Sequence, residues 1–166
     1  MIFVVVPAYN EAKQIGRVIS CLFSQGLENI IVVDDGSTDN TAAIAAQAKA
    51  IVLRHEINRG QGAALQTGNE YALERGAKAV VHFDGDGQFN AADIGAALAV
   101  MQQASAEVVL GSRFLDNRSK IPWTKKNIIL PVSRFINRLL TGLKLTDAHN
   151  GFRILSRRAL ERINIS

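Results

Sequence analysis

Five short runs of apolar, mostly β-branched residues recur along the chain, at Phe3–Val6, Ile30–Val33, Ile51–Leu53, Ala79–Phe83 and Val108–Leu110. Each run is continuous rather than alternating, so each reads as a strand buried on both faces. The stretches between them carry helical patterns. Ile15, Val18, Ile19 and Leu22 follow the i, i+3, i+4, i+7 spacing of one helix face. Residues 41–50 and 62–75 are rich in alanine, and Ile94, Leu98 and Met101 share one side of 91–103. A short strand over 152–155 and a helix starting near Ser156 complete the pattern. Strand–helix alternation at this spacing predicts an α/β fold, a mostly parallel central sheet flanked by helices. In such a sheet the ligand crevice lies beyond the carboxyl ends of the strands. The loops there would be Pro7–Glu11, Asp34–Asp39, His55–Gly62 and Asp84–Phe89, all rich in Asp, Asn, Gly or Gln.

A chain of 166 residues fits one domain with a real core. Its single cysteine, Cys21, excludes an internal disulfide and a cysteine-only metal cluster, and suits a reducing compartment. Cys21 falls within a helical apolar pattern and is expected to pack in the core. No apolar run approaches the roughly 18 residues of a membrane span. Residues 1–7 lack a basic leader and read as the first strand, not a signal peptide.

The charge is unevenly distributed. Residues 1–112 hold 7 Lys/Arg against 12 Asp/Glu, a net −5, whereas residues 113–166 hold 12 against 3, a net +9. This divides the chain into a front half, 1–113, suited to a cation, and a basic back half, 114–166, suited to anions, within a single domain. In the back half Ile128, Ile129, Val132, Phe135, Ile136, Leu139 and Leu140 form an apolar set broken near Pro131. It is flanked by Lys125, Lys126, Arg134, Arg138 and Lys144, with no acid between Asp116 and Asp147. Residues 121–145 therefore read as amphipathic helices lying at an anionic membrane surface; an ordinary helix packed on the sheet is the alternative.

The strongest local signal is Asp84-Gly85-Asp86-Gly87-Gln88, directly after a buried strand. Two carboxylates at i, i+2 on a loop can turn toward one hard cation, and Gln88 adds a neutral oxygen. A site with so few protein oxygens leaves coordination positions for phosphates, the usual arrangement for Mg²⁺ or Mn²⁺. An Asp-Gly turn with no metal is the plain alternative. Asp34 and Asp35 end the second strand and are expected to face the crevice, free to accept hydrogen bonds from a base or ribose. Ser37, Thr38 or Asp39 is placed to cap the helix near Thr41. Tyr9 is placed to pack on a base, and Glu11 is either a site acid or a favourable first-turn acid. The loop 55–62 lacks the Walker lysine pattern and the dinucleotide glycine spacing, so it is a weak phosphate cradle. Its glycines are also explained by close helix–sheet packing.

Taken together, Pro7-Ala8-Tyr9-Asn10-Glu11, Val33-Asp34-Asp35-Gly36-Ser37-Thr38-Asp39, Asn58-Arg59-Gly60-Gln61-Gly62 and Asp84-Gly85-Asp86-Gly87-Gln88 resemble the family 2 glycosyltransferases of GT-A fold. Gly111-Ser112-Arg113 and Asp147-Ala148-His149-Asn150-Gly151-Phe152-Arg153 extend the likeness toward the branch that glycosylates dolichyl or other polyprenyl phosphates. The resemblance implies that Pro7, Tyr9, Glu11, Val33 and Asp35 hold the nucleoside. It implies that Asp84, Gly85 and Asp86 meet the nucleotide sugar, with Asp84, Asp86 and Gln88 holding the metal. Arg113 would contact phosphate and, with Asp84 and Asp86, serve catalysis. Arg134 and Arg153 are candidates for the acceptor phosphate. Family members continue well past a segment like 156–163, so the chain resembles a C-terminally truncated catalytic domain.

The resemblance thus implies an inverting, metal-dependent hexosyltransferase. Its donor is a GDP- or UDP-linked sugar, its acceptor a lipid phosphate, and its place the inner, cytoplasmic face of the membrane; no nucleic acid is expected among the partners. A polyprenyl phosphate is already an anionic nucleophile, so arginines that position it can stand in for a general base. The alternatives are a transferase for a saccharide or cell-envelope acceptor, a sugar nucleotidyltransferase, and a non-catalytic nucleotide-sugar-binding module.

Overall fold

The structure is a computed structural model, and it describes residues 1–87, 90–111 and 152–163. Residues 1–109 form one compact unit with the segment from Phe152 onward. The other unit, residues 110–151, lies outside the described residues apart from Leu110 and Gly111. The expectation of membrane-surface helices over 121–145 therefore also falls outside them.

The described elements run β1 (Ile2–Ala8), α1 (Ile15–Ser24), β2 (Asn29–Asp34), α2 (Thr41–Gln47), β3 (Ile51–Arg54), α3 (Gln61–Glu74), β4 (Ala79–His82), α4 (Asp93–Gln103), β5 (Val108–Leu110), β6 (Arg153–Ser156) and α5 (Arg157–Arg162). They build a six-stranded sheet of order β3-β2-β1-β4-β6-β5. β1 pairs in parallel with β2 and β4, β2 in parallel with β3, and β4 antiparallel with β6. This is the mostly parallel, helix-flanked sheet that the run-and-helix alternation predicts, made mixed by the antiparallel β6.

The continuous apolar strands have a simple cause: both faces of the sheet are covered. Val4, Val6, Ile30, Val32, Val81 and Ile154 point to the face covered by Ile15, Val18, Ile19 and Leu22 of α1, Ala45 of α2, and Ile94 and Met101 of α4. Phe3, Val5, Ile31, Val33, Val80 and Leu155 point to the opposite face, against Ala64, Leu65 and Ala72 of α3 and Ala159 and Leu160 of α5. At roughly 1.5–3 kcal/mol per fully buried aliphatic side chain, these two layers supply the main driving force for folding.

Two sequence expectations are corrected. Cys21 lies on the exposed side of α1, away from the apolar stripe, because it is out of phase with Ile15, Val18, Ile19 and Leu22. Close packing of α3 on the sheet belongs to Gly68 rather than to Gly60. A Cβ on Gly68 would lie 2.3 Å from Val5 Cγ1, whereas one on Gly60 would meet nothing within 4 Å. Gly60 instead adopts φ 90° where the loop turns into α3, a conformation that favours glycine.

Candidate functional site

The carboxyl ends of β1, β2, β3 and β4 open onto one cavity of about 480 Å³. Its walls come from Pro7, Ala8, Tyr9 and Glu11 after β1, Asp35 after β2, Asn58 and Gly60 after β3, Gln61 and Ala64 of α3, and Asp84, Gly85 and Asp86 after β4. Parallel pairing brings these distant segments to one edge. β1 occupies the centre of the four, with β2 on one side and β4 on the other.

The loops are tied to one another by polar contacts across long sequence separations. Asn10, at φ 57°, donates its N–H to Ser37 Oγ at 2.9 Å and accepts the Thr38 N–H on Oδ1 at 2.9 Å. Glu11 N donates to Thr41 Oγ1 at 2.8 Å. Gly36 sits at φ 75° against the loop after β3, where a Cβ would come within 2.7 Å of Asn58 N. Gly85 approaches β1 closely, with its Cβ position 3.2 Å from the Pro7 carbonyl oxygen. The small residue between the two aspartates thus lets the loop after β4 settle beside β1.

The four acids near β2 and β1 have different surroundings. Asp34 is fully buried: Oδ1 accepts the Ser37 N–H at 3.1 Å, and Oδ2 lies 3.2 Å from Arg54 Nε. It organises the loop and does not face the crevice, which corrects the expectation that both strand-end carboxylates are open to ligand. Asp35 does line the cavity, although it is only 3% exposed. Its Oδ1 accepts from His55 Nδ1 at 2.7 Å and Arg59 N at 2.9 Å, and its Oδ2 from Gly60 N at 2.8 Å. Burial alone would raise its pKa; the N–H donors of Arg59, His55 and Gly60 outweigh that and hold it below the ordinary carboxylate range. Asp39 accepts from Thr41 N at 2.9 Å and from Ala12 N at 3.2 Å, so it serves the start of α2, as its position suggested. The Thr41 hydroxyl foremost, with these N–H groups, lowers its pKa.

Glu11 behaves in the opposite way. Partial burial, then the negative charges of Asp86 and Asp39, raise its pKa. Glu11, in the loop after β1, and Asp86, in the loop after the neighbouring β4, line the same cavity close enough for their charges to interact, so acid accumulates there. That is a donor chemistry suited to a hard divalent cation. Asp84 and Asp86 are the residues that would hold it. Among the described residues no three Asp, Glu, His or Cys side chains converge into a closed metal cage. Few protein ligands are what a site shared with phosphate oxygens requires.

The structure thus brings Pro7, Tyr9, Glu11, Asp35, Asp84, Gly85 and Asp86 together. Tyr9 stays 47% exposed, leaving a ring available for stacking. Val33 is fully buried in β2 and packs in the core on the α3 side; it is not a wall of the cavity. Arg153 sits in β6 as the cross-strand partner of His82, outside the cavity walls. Gln88, Arg113 and Arg134 lie outside the described residues. Three residues at the site had no individual role in the sequence reading: His55 on Asp35, Gln61 on Asp84 with a 2.9 Å hydrogen bond, and Asn58 in the wall. All three lie in or beside the polar loop 55–62, whose composition was the available signal.

The sequence matches the family model described as glycosyl transferase family 2 over residues 3–163. The chain belongs to glycosyltransferase family 2. It is 38% identical to the UDP-N-acetylglucosamine–dolichyl-phosphate N-acetylglucosaminyltransferase of Methanococcus voltae, over 97% of this chain and 71% of that one. It is 29% identical to the polyprenol monophosphomannose synthase of Mycolicibacterium smegmatis, over 98% of this chain and 64% of that one. Among solved structures it is similar to glucosyl-3-phosphoglycerate synthase from Mycobacterium tuberculosis in complex with Mn²⁺, UDP-glucose and phosphoglyceric acid. The TM-score is 0.74 at 22% identity, covering 95% of this chain and 57% of that one. That likeness bears on the fold, which is of the GT-A type expected from the sequence. This family 2 chain therefore spans between about half and three quarters of the length of these relatives. Among its described residues no helix is long and apolar enough to cross a membrane.

Proposed function

We propose that this family 2 glycosyltransferase moves a sugar from a GDP- or UDP-linked donor to a polyprenyl phosphate, with inversion, at the cytoplasmic face of the membrane. The observation that carries the reading is the one cavity that Tyr9, Glu11 and Asp35 line together with Asp84 and Asp86. The first group is suited to a nucleoside and the second, through a cation, to a diphosphate. The archaeal relative's dolichyl-phosphate acceptor and the mycobacterial relative's polyprenol monophosphomannose product support the acceptor class.

Asp84 and Asp86 hold Mg²⁺ or Mn²⁺ in this reading; when bound, the cation supplies Lewis-acid neutralisation of the diphosphate leaving group. Gln61 fixes the orientation of Asp84 through its hydrogen bond to Oδ1. Pro7 and Gly85 let the loops after β1 and β4 approach closely enough to share one ligand. Tyr9 stacks on the base and Asp35 accepts a hydrogen bond from it. The phosphate nucleophile arrives already ionised, so the protein's task on the acceptor side is to position it and exclude water rather than to remove a proton. Residues 1–113 carry the donor in this scheme and residues 114–166 the acceptor, with Gln88, Arg113, Arg134 and Arg153 in the roles that the family resemblance implies.

The test is transfer of labelled sugar from UDP- and GDP-linked donors to undecaprenyl or dolichyl phosphate in detergent micelles, with Mn²⁺ or EDTA. Soluble saccharides serve as competing acceptors. Metal-dependent labelling of the lipid supports the proposal. Labelling of a saccharide with the lipid untouched would move the chain to the cell-envelope alternative.

A further inference from the structure

His55 is 8% exposed and has both ring nitrogens engaged: Nδ1 with Asp35 Oδ1 at 2.7 Å, and Nε2 with Thr67 Oγ1, on α3, at 2.9 Å. An ionised carboxylate is acceptor-only, so Nδ1 carries the shared proton. The imidazole thereby fastens Asp35 to α3, which packs on the sheet through Gly68. An ionised carboxylate offers about four acceptor positions, two on each oxygen. His55 and Arg59 occupy those of Oδ1, and Gly60 occupies one on Oδ2. Among the described residues this leaves one acceptor position, on Oδ2 of a side chain that lines the cavity.

That count selects among bases. Uracil and thymine present one imide N–H, at N3, between two carbonyls, and need one acceptor. Guanine presents N1–H and N2–H side by side and is matched by both oxygens of a carboxylate. Cytosine carries a lone pair at N3, which a carboxylate repels. We infer that His55 is a specificity-determining positioning residue, which by occupying Oδ1 restricts the site to a base with a single imide N–H, a uracil or thymine nucleotide rather than a guanine one. The inference rests on the nucleotide-sugar reading above and decides between its two donor classes.

The test is calorimetric titration of this chain with UDP, GDP and CDP in Mn²⁺, near neutral pH. UDP is expected to bind about tenfold or more tightly than GDP or CDP, the worth of one hydrogen bond to a charged acceptor. UDP methylated at N3, which lacks the one N–H, should lose that advantage with no change to the protein. In His55→Ala the UDP-to-GDP ratio should fall toward one, because Oδ1 regains a free acceptor position. His55→Asn, whose Nδ2 can replace the Nδ1–H donor, should restore the ratio. A residue that merely stabilised the loop would shift both affinities together and leave the ratio unchanged. GDP binding as tightly as UDP, or N3-methylation without effect, overturns the inference and leaves the transferase reading standing. Failure of every nucleoside diphosphate to bind in Mn²⁺ overturns both.

Discussion

Gln61 Nε2 donates to Asp84 Oδ1 at 2.9 Å, joining the first residue of α3 to the first carboxylate after β4. The two positions are 23 residues apart in sequence. Their meeting ties the start of α3, beside the loop that holds Asp35, to the acidic loop after β4.

If Asp84 and Asp86 hold a cation, nucleoside-diphosphate affinity should fall when metal or either acid is removed. Asp86→Asn is expected to weaken Mn²⁺-dependent UDP or GDP binding by about tenfold or more. Gln61→Ala, which removes the Nε2 donor to Asp84 Oδ1, should cost a smaller factor, roughly threefold to tenfold. Circular dichroism should show both variants folded. Titration with and without EDTA checks the idea, and equal affinity in the two conditions would contradict it.

Glu11 should make the protein less stable as the pH rises. Its folded pKa lies above the ordinary value of 4.5, so in that window the native state binds more protons than the unfolded state. Stability contributed by protonated Glu11 is present at low pH and is lost as pH climbs through the raised pKa. Glu11→Gln should therefore melt higher than the parent at pH 7 and match it at acid pH. Mn²⁺ should narrow the gap by neutralising Asp86. Thermal melts across pH, with and without Mn²⁺, measure both effects.

His82 gives the opposite dependence. It is 1% exposed in β4, with Nε2 2.8 Å from Asn69 Oδ1 on α3 and Nδ1 without a hydrogen bond among the described residues. Burial, then the charge of Arg153, lower its pKa from 6.5 to about 4. The unfolded chain binds the proton first, so stability should fall as pH drops from about 6.5 to about 4, by on the order of 3 kcal/mol. His82→Gln keeps a donor for Asn69 but does not titrate, and should flatten this limb. Urea denaturation at stepped pH would show it. Asp35 acts below this window, because its own pKa is lowered beneath the ordinary carboxylate value of 3.8.

Gly68 should tolerate no side chain while Val5 stands opposite. Its Cβ position is 2.3 Å from Val5 Cγ1 and 3.2 Å from Val33 Cγ2, so Gly68→Ala forces α3 off the sheet, at about 1–3 kcal/mol. Adding Val5→Ala should recover part of that loss. The double variant is then less destabilised than the sum of the singles, a coupling of about 0.5 kcal/mol or more in chemical denaturation. Strict additivity would mean that the two do not share the contact.

The strands, the helices and the crevice edge were legible in the chain because they depend on local patterns. Unbroken β-branched runs such as Phe3–Val6 can be buried on both faces only in a covered sheet. The acids of Asp84-Gly85-Asp86 follow a strand directly, so their placement at its carboxyl end needed no knowledge of the rest. The phase of α1 was also readable. That Cys21 points outward follows from its offset against Ile15, Val18, Ile19 and Leu22, and this phase overrides cysteine's usual preference for burial.

Local pattern does not say which of two adjacent aspartates lines the cavity; in the sequence only the family resemblance singled out Asp35. Asp34 and Asp35 are chemically the same and follow the same strand. Alternation in β2 and the arrival of the loop after β3 turn Asp34 toward Arg54 and Ser37, and Asp35 toward His55, Arg59 and Gly60. The pairings of Asp35 with His55 and of Gln61 with Asp84 join segments 20 and 23 residues apart, through loops whose course depends on strand order. Residue types and local periodicity determined by themselves that this chain forms a covered, mostly parallel sheet with an acidic crevice. Tertiary structure alone decided which acids are held by protein donors and which keep an acceptor for a ligand, because hydrogen-bond satisfaction depends on partners that only folding brings within 3 Å.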